Sequence, residues 1–289
     1  MATETESVQE ISHAGAGVWL AQTRAFAVST LRELFRNRAT VFWSVAFPAG
    51  FYLLTITLFV DTSTIPAGQV GLVKAVTAIG YGMFGALLVC LNAFSGRLID
   101  DLDDGRYGQF RALPIAPTAD LLGRMLAGAL FAVVSFAVVI GVSVLTGAEY
   151  ALRTPWSPLV VGIAFLAFAA IGMVVAVFLA IAVPDAKYAN IIAMSVVMLS
   201  YFLTGYNGTL PGMFAADPAL LNLLPNALGT RIVAYHLLDA STWAGSSLAP
   251  PAAPAGVGHL ALLAGYAALA LLAGGVGMSR LVYDRGWPV

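Results

Sequence analysis

The stretch RLIDDLDDGRYGQFRALPIAPTADLLGRM, from Arg97 to Met125, separates two long apolar segments of the chain. Four aspartates cluster near its start: Asp100, Asp101, Asp103 and Asp104. Of the 289 residues in the chain, 10% are charged and 60% are hydrophobic, whereas soluble domains carry about 25% charged residues. This composition predicts an all-α protein that crosses a membrane several times, and the quoted stretch is the connection in which it concentrates its charge.

The charge balance and the cysteine content exclude several classes of protein. A net charge of -1 and a pI of about 6.3 do not suggest a nucleic-acid partner, which would need a basic stripe. The single cysteine, Cys90, excludes an intramolecular disulfide and argues against a cysteine-based zinc site. Residues 1–18 contain no lysine or arginine, so they lack the basic start of a cleaved signal peptide. We expect residues 1–14 to form a disordered cytoplasmic tail.

The spacing of the charged residues predicts six membrane spans. A helix that crosses a bilayer needs about 20 apolar residues, and six gaps between Asp, Glu, Lys and Arg are long enough. Pro158 and the Pro/Gly/Ser-rich stretch before Val257 set the starts of the fourth and the last helix. Within one transmembrane domain, 39–289, the predicted spans are 39–60, 75–96, 122–147, 158–183, 188–206 and 257–281.

The distribution of basic residues predicts the orientation. With the N-terminus inside, eleven of the fourteen Lys and Arg residues lie in cytoplasmic segments, which agrees with the positive-inside rule. We therefore expect both termini in the cytoplasm and a cytoplasmic loop over residues 97–118. The high alanine and glycine content is associated with GC-rich prokaryotic genomes, so the expected location is a prokaryotic plasma membrane.

Residues 15–38, which precede the first span, form a predicted amphipathic helix. Apolar residues from Leu20 to Phe35 fall near one side of a helical wheel, and arginines fall on an adjacent arc. Such a helix lies in the inner membrane interface with its arginines toward anionic lipid headgroups. The arginines of this interfacial segment are Arg24, Arg32, Arg36 and Arg38. Alternatively, the segment is a charged flank that only anchors the first span.

The outer connection after the fifth span is too apolar for a solvated loop. Within residues 207–240 it contains two short candidate helices, Pro218 to Leu224 and Pro225 to Leu238, and each starts at a proline, which suits the first turn of a helix. Both are too short to cross a bilayer. This pattern is typical of re-entrant or interfacial helices.

The sequence lacks the residues of an independent energy source. A phosphate-binding P-loop needs a lysine that follows a glycine, but Lys74 and Lys187 follow Val73 and Ala186. The predicted spans contain no Asp or Glu, whereas ion-coupled carriers use carboxylates within the membrane. We find no motif for a catalytic, cofactor or metal site. We therefore expect the chain to receive energy from a partner through its charged loop.

Several motifs resemble those of the type-2 ABC exporter permease family. The start of the first span reads RNRATVFWSVAFP (residues 36–48), the charged loop reads DDGRYGQFRALPI (103–115), and LLGRMLAG (121–128) follows. The outer segments LPGMF and LLPNALGTRIV lie where that family has short re-entrant helices. The order of the motifs and the six-span topology make the chain similar to this family over most of its length.

The resemblance implies the membrane-spanning subunit of an exporter, which is not itself an enzyme. In that family two membrane halves work with two ATPase subunits that bind ATP and Mg²⁺, and a coupling helix in the first cytoplasmic loop docks on the ATPase. We expect a homodimer that moves an amphipathic drug, a lipid or a glycan lipid outward. The residues implied for the ATPase contact are Asp100, Asp101, Asp103, Asp104, Gly105, Arg106, Phe110, Arg111 and Pro114.

Other interpretations of the sequence stay open at this point. The second membrane half can be a related chain, which gives a heterodimer. The loop can be charged only because it is cytoplasmic, although topology requires Lys and Arg and gives no role to four aspartates. The chain can also be a self-contained carrier or membrane enzyme, or a scaffold that transports nothing. A carrier needs buried ionisable groups in its spans, and a scaffold has no need of re-entrant helices.

Overall fold

The computed structural model describes residues 2–183, 185–239 and 253–284, and this part of the chain consists of helices and turns without a strand. The predicted all-α class is confirmed. After the first helix, the long helices pack side by side and alternate in direction. We call the end of the bundle that holds residues 97–118 the charged end.

The first helix, α1 (Ala2–Arg36), packs along the bundle near the charged end. It begins before the predicted amphipathic helix, at Ala2, and the disordered state expected for residues 1–14 stays a prediction. The chain turns at Asn37, which has an extended backbone and accepts a hydrogen bond from the Thr40 amide at 3.1 Å. This turn separates α1 from the first span.

Apart from single-turn segments, eight further helices follow in the described part of the chain, and five of them are long and apolar enough to cross a membrane: α2, α3, α5, α6 and α9. The apolar part of α7 is shorter, so the sixth span stays a prediction. The helices are α2 (Arg38–Phe59), α3 (Ala67–Asp103), α4 (Arg106–Arg111), α5 (Pro117–Leu145), α6 (Ser157–Ala182), α7 (Ala186–Leu203), α8 (Pro225–Leu237) and α9 (Val257–Gly277, continued by a π-helical segment, Met278–Asp284).

Helix α3 differs most from its prediction. We predicted a span over 75–96 and a loop from residue 97, but the helix continues without a break to Asp103. The charged segment is helical because it has an apolar face: Leu98, Ile99 and Leu102 are buried against the bundle. The loop predicted over 97–118 therefore begins as the end of a long helix.

Helix α3 lies in the centre of the bundle, and nearly all of its residues between Gly71 and Leu91 are buried. Glycines mark the closest helix contacts. A Cβ atom on Gly85 of α3 would lie 3.0 Å from Pro48 of α2, and one on Gly172 of α6 would lie 3.0 Å from Cys90. Small residues at such crossings let helix backbones approach each other in lipid.

At the opposite end of the bundle, the chain reverses direction after α7. Four consecutive residues, Gly205–Gly208, have positive φ, and two of them are Tyr206 and Asn207, for which a left-handed backbone costs about 1 kcal/mol or more. The side chain of Asn226 stabilises this reversal. Its Nδ2 atom lies 3.0 Å from the Ser200 carbonyl oxygen and 3.1 Å from Oδ1 of Asn207.

Two short helical segments close the opposite end. A 3-10 turn (Pro218–Asn222) precedes α8 (Pro225–Leu237), close to the two short helices predicted within 207–240; residue 240 itself lies outside the described residues. The middle of α8 is buried, and a Cβ atom on Gly229 would lie 3.2 Å from Phe168 of α6. The connection is therefore a packed part of the bundle, as its apolar composition predicts.

Candidate coupling surface and cavities

Helix α4 forms a short charged segment that follows the end of α3. Gly105 turns the chain with a φ of 68°, a left-handed conformation that glycine adopts at little cost. Its amide donates a hydrogen bond to the Leu102 carbonyl at 3.1 Å and closes the end of α3. The glycine of the loop motif thus sets the direction in which α4 leaves α3.

Most residues implied for a partner contact are exposed around α4. Leu113, which the sequence analysis did not single out, is 55% exposed beside them. A guanidinium nitrogen of half-buried Arg106 lies 3.2 Å from Oδ2 of Asp104, so charges of both signs are adjacent. The exposed members of the implied set are Asp100, Asp103, Asp104, Gly105, Arg111 and Pro114. We call these six residues with Leu113 the coupling surface.

Asp101 does not belong to this surface, which corrects the role implied for it. Only 4% of its side chain is exposed, and its oxygens pair with Arg106 at 2.6 Å and with Arg124 of α5. Successive residues of a helix point about 100° apart, so Asp101 faces α5 while Asp100 and Asp103 face away from it. Its carboxylate balances the charge of a buried arginine.

Phe110 and Tyr107 anchor α4 to the bundle. The ring of Phe110, which is half-buried, packs edge-on against Phe26 of α1 at 5.6 Å between centroids. The hydroxyl of buried Tyr107 donates a hydrogen bond to Oδ2 of Asp120 at 2.9 Å. Burial raises the pKa of Tyr107 well above its usual range, so the phenol keeps its proton and stays a donor.

A buried network of charged and phenolic groups lies beneath the coupling surface. Asp120 is fully buried; it pairs with Arg124 one turn later on α5 and accepts a second phenol hydrogen bond, from Tyr283, at 3.0 Å. Sequence reasoning assigned no role to Asp120, Arg124 or Tyr283. The available signal was the spacing of Asp120 and Arg124, since opposite charges four residues apart on a helix form pairs.

Helix α1 holds the segment between α4 and α5. The side-chain amide of Gln22 donates to the Pro114 carbonyl at 2.8 Å and accepts from the Ala116 amide at 3.0 Å. One turn earlier, the indole N–H of Trp19 donates to the hydroxyl of Thr118 at 3.1 Å. The coupling surface is therefore fixed from α1 as well as from α5.

The buried face of α1 is rotated from the predicted one. Leu34 is buried as predicted, but Thr23 and Thr30 are buried as well, whereas Leu20, which we placed on the apolar side, is 61% exposed. Polar Thr23 is buried because α1 packs against a helix there rather than against lipid alone. The four arginines of the segment are exposed, and their contact with lipid headgroups stays a prediction: Arg24, Arg32, Arg36 and Arg38.

Two cavities lie on the side of the bundle where α2, α3 and α7 meet. The first, nearer the charged end, has a volume of about 520 Å³ and polar groups in its wall, including Thr40, Ser44, Asn92 and Asn190. The second has a volume of about 440 Å³ and combines aromatic rings with hydroxyl groups: Phe51, Thr55, Thr77, Tyr81, Tyr201 and Tyr206. The described residues that line the two cavities include no Asp, Glu, Lys, Arg or His.

Unusual backbone geometry is concentrated at these cavities. Of the π-helical segments in the described chain, Phe42–Ala46 and Val89–Ala93 border the first cavity and Thr55–Phe59 borders the second. Tyr206, with its left-handed backbone, also lines the second cavity. Because π-helical turns are rare and frequently occur at functional sites, the cavities are candidate ligand sites.

Comparison with known protein families adds a family assignment to this geometry. A family model described as ABC-2 type transporter matches residues 21–223, well over half of the chain. The chain belongs to the ABC-2 type transporter family. The resemblance stated from the motifs is thereby confirmed. A comparison with curated proteins found no match to this ABC-2 permease.

Membership of the family defines the part that the chain plays in a transporter. It is the membrane-spanning permease component and not the catalytic subunit. Its long apolar helices make this ABC-2 permease a multi-pass membrane protein. The matched residues include α4 and both cavities but end before α9, so Tyr283 in the buried network lies outside the match.

Proposed function

We propose that this ABC-2 permease exports an uncharged amphipathic molecule, driven by ATP that a separate ATPase subunit hydrolyses. The observation that supports this most is α4: it is short, its anchoring side chains are buried or half-buried, and it presents an exposed surface of mixed charge. ABC-2 permeases normally work with an ABC ATPase. ATP and Mg²⁺ bind in that partner and not in this chain.

The coupling surface has the features of a docking site. Asp103, Asp104 and Arg111 are exposed and carry charges of both signs, and exposed Leu113 in the same segment supplies apolar area for burial. Charges at the rim of an interface set orientation and partner choice, while the buried residues around Tyr107 keep α4 in place. Force applied to this surface therefore reaches α3 and α5 through packed side chains.

The proposal also includes the orientation and the assembly of the chain: the charged end faces the cytoplasm, and two copies of the chain form the membrane part of the transporter. The charged end carries most of the basic residues of the chain, which favours the cytoplasmic side, and the exposed arginines of α1 then face anionic headgroups. Closed two-fold pairs are the commonest assembly of identical subunits, so we favour a homodimer in a prokaryotic plasma membrane.

The two cavities support the substrate class. Their walls supply amide and hydroxyl groups from Asn92, Asn190, Thr77 and Tyr206 together with aromatic rings, and the described lining residues carry no charge. A charged substrate would lack a counter-ion there, and burying an unpaired charge is costly. Volumes of this size hold drug-sized molecules, for which pockets measure about 300–1,000 Å³. We therefore favour an uncharged drug or the apolar part of a lipid over a bulky glycan.

The test of the proposal is the isolation of the chain from its native membrane with a gentle detergent, by an affinity tag, followed by identification of the proteins that accompany it. We expect an ATPase subunit with a P-loop in equal amounts with the permease. A chain that is recovered alone, repeatedly and under mild conditions, contradicts ATPase coupling and favours a self-contained carrier.

A further inference from the structure

The end of the last helix contacts the coupling helix directly. Residues Met278–Asp284 continue α9 as a π-helical segment at the charged end. There the carbonyl oxygen of Val282 accepts a hydrogen bond from a guanidinium nitrogen of Arg111, the last residue of α4, at 3.1 Å. The ring of Tyr283 packs perpendicular to that of Tyr107, in the first turn of α4, with 5.4 Å between centroids. Both ends of α4 are therefore in contact with α9.

The two phenols share one acceptor atom. Tyr107 of α4 and Tyr283 of α9 each donate to Oδ2 of Asp120, at 2.9 and 3.0 Å, while Oδ1 of the same carboxylate pairs with Arg124. Asp120 is fully buried, and hydrogen bonds to a charged acceptor are about twice as strong as those between neutral groups. One carboxylate of α5 thus ties α4 and α9 together.

Helix α4 depends on such contacts for its position. It has only six residues, and helices this short are not stable in isolation. On its other side, α9 is packed closely on α6: a Cβ atom on Gly274 would lie 3.0 Å from Val174, and one on Gly277 would lie 3.2 Å from Phe178. A displacement of α4 is therefore resisted by α9 and, through α9, by α6.

We propose that the end of α9 is a positioning element for α4, in which Tyr283 and Val282 transmit displacement of the coupling helix to the last span. On this route the ATPase moves α9 together with α3 and α5. Tyr283 acts through Asp120 and does not itself contact the ATPase. The inference rests on the proposed docking of an ATPase at α4, but the contact on which it depends is testable in the permease alone.

The first experiment measures amide hydrogen exchange in α4, with the full-length permease in lipid nanodiscs. We expect Tyr283→Phe to raise the exchange of amides 106–112 by about tenfold, the effect of losing one hydrogen bond to a charged group. Tyr266→Phe is the matched control, since Tyr266 lies on the same helix and its hydroxyl forms no hydrogen bond within the described residues. Equal exchange in the two variants would overturn the inference.

A double-mutant cycle tests the shared carboxylate oxygen. Tyr107→Phe and Tyr283→Phe remove donors to the same atom, so we expect the effect of the combined variant on α4 exchange to differ from the product of the single effects. Effects that multiply independently would show that the two phenols do not act on one Asp120, and would contradict the arrangement.

The second experiment tests whether displacement of α4 is transmitted to α9, as distinct from Tyr283 only holding α4 in place. In the complex with its ATPase, spin labels on Leu145→Cys and Val257→Cys, in a Cys90→Ala background, report the distance between the far ends of α5 and α9; both sites are more than four-fifths exposed. We expect a non-hydrolysable ATP analogue to change this distance in the parent and in Tyr266→Phe. In Tyr283→Phe the change should disappear while ATPase binding and hydrolysis persist.

The outcomes distinguish a failure of this inference from a failure of the proposed function. A nucleotide-driven distance change that survives in Tyr283→Phe overturns transmission through α9. If no ATPase subunit accompanies the permease, the proposed function fails, and transmission of an ATPase movement through α9 fails with it. The exchange experiment then still decides whether Tyr283 positions α4.

Discussion

Neighbouring aspartates on α3 have opposite environments. Asp101 is buried between Arg106 and Arg124, whereas Asp103 is exposed two residues later. An unbalanced buried charge is far more costly than an unbalanced surface charge. Substitutions at the two positions therefore separate support of the fold from contact with a partner.

Asp101→Asn is expected to destabilise the permease by about 2 kcal/mol, because it weakens the charge-assisted hydrogen bonds to Arg106 and Arg124 and leaves Asp120 as the remaining counter-charge of Arg124. Asp103→Asn removes the same charge from an exposed site, and surface substitutions of this kind stay within about 0.5 kcal/mol. Thermal unfolding in detergent measures both variants. Equal stabilities would contradict the buried role of Asp101.

Asp104→Lys is expected to weaken the binding of the ATPase subunit by about three- to tenfold, since a reversed charge at the rim of an interface disfavours the partner. Fold and yield should not change, because the Asp104 side chain is mostly exposed. Lys187→Glu, an exposed reversal near the start of α7, is the control. If titrated affinities of the two variants match that of the parent, docking does not occur at this surface.

At the scale of the elements, α1 and α5 cross in close contact at Gly123. A Cβ atom there would lie 2.5 Å from the Thr23 carbonyl oxygen and 2.6 Å from Cβ of Phe26. The obstacle is largely backbone, so the two helices would have to move apart. Because Gln22 and Phe26 of the same α1 segment hold the coupling surface, this crossing fixes the position of α4 as well.

Gly123→Ala is expected to detach α1 from α5 and to cost about 1–3 kcal/mol, the usual penalty of overpacking. Amide exchange should increase in residues 19–34 of α1. Gly141→Ala on the same helix is the control, since nothing lies within 4 Å of its built Cβ atom. Unchanged exchange in α1 would show that the crossing tolerates a methyl group.

The sequence predicted some elements and missed others for identifiable reasons. Gaps between charges located the long helices, because unpaired charge is excluded from lipid. The same rule misplaced the end of α3, because Leu98, Ile99 and Leu102 keep a charged segment helical by packing against protein. Gly105 and the exposed carboxylates were recognisable in the motif. The burial of Asp101 and the contact of Tyr283 with Asp120 depend on helix rotation and on residues far apart in sequence.

At the scale of the whole molecule, both cavities follow one seam between α2, α3 and α7. The first has amides near the charged end, and the second has aromatic rings and hydroxyls toward the opposite end. A molecule with an apolar body and a polar group finds partners of both kinds along this seam. The arrangement predicts where an uncharged ligand binds in the isolated permease.

Thr77→Phe is expected to fill the second cavity and to reduce photolabelling of its wall by benzophenone, an uncharged aromatic probe, by about tenfold. Thr57→Phe is the control: both threonines donate to the carbonyl four residues earlier, but Thr57 is exposed on the outside of the bundle. Peptide mass spectrometry locates the adducts. Burial of apolar surface contributes about 25 cal/mol per Å² to the free energy of binding. A probe that no longer fits the cavity therefore loses enough binding free energy for a tenfold drop in labelling.

The charge of the probe tests the substrate class. Benzoylbenzoate and a benzoylbenzyl trimethylammonium ion carry the same photoreactive group with a negative or a positive charge. We expect both to label the second cavity less than benzophenone, because its described lining has no counter-ion. Preferential labelling by either ion would reject an uncharged substrate.

The length of α3 has a mechanical consequence. Its 37 residues extend for about 55 Å at about 1.5 Å per residue, well beyond the roughly 30 Å of a hydrocarbon core. One end carries Asp103 beside α4, and Thr77 lies about 39 Å back along the same helix, in the wall of the second cavity. If the helix tilts as a rigid rod about one end, a tilt of about 5° moves its other end by about 5 Å. The π-helical turn at Val89–Ala93 lies between Thr77 and Asp103, and helices kink at such turns, so bending there decides how much of a push at Asp103 arrives at Thr77.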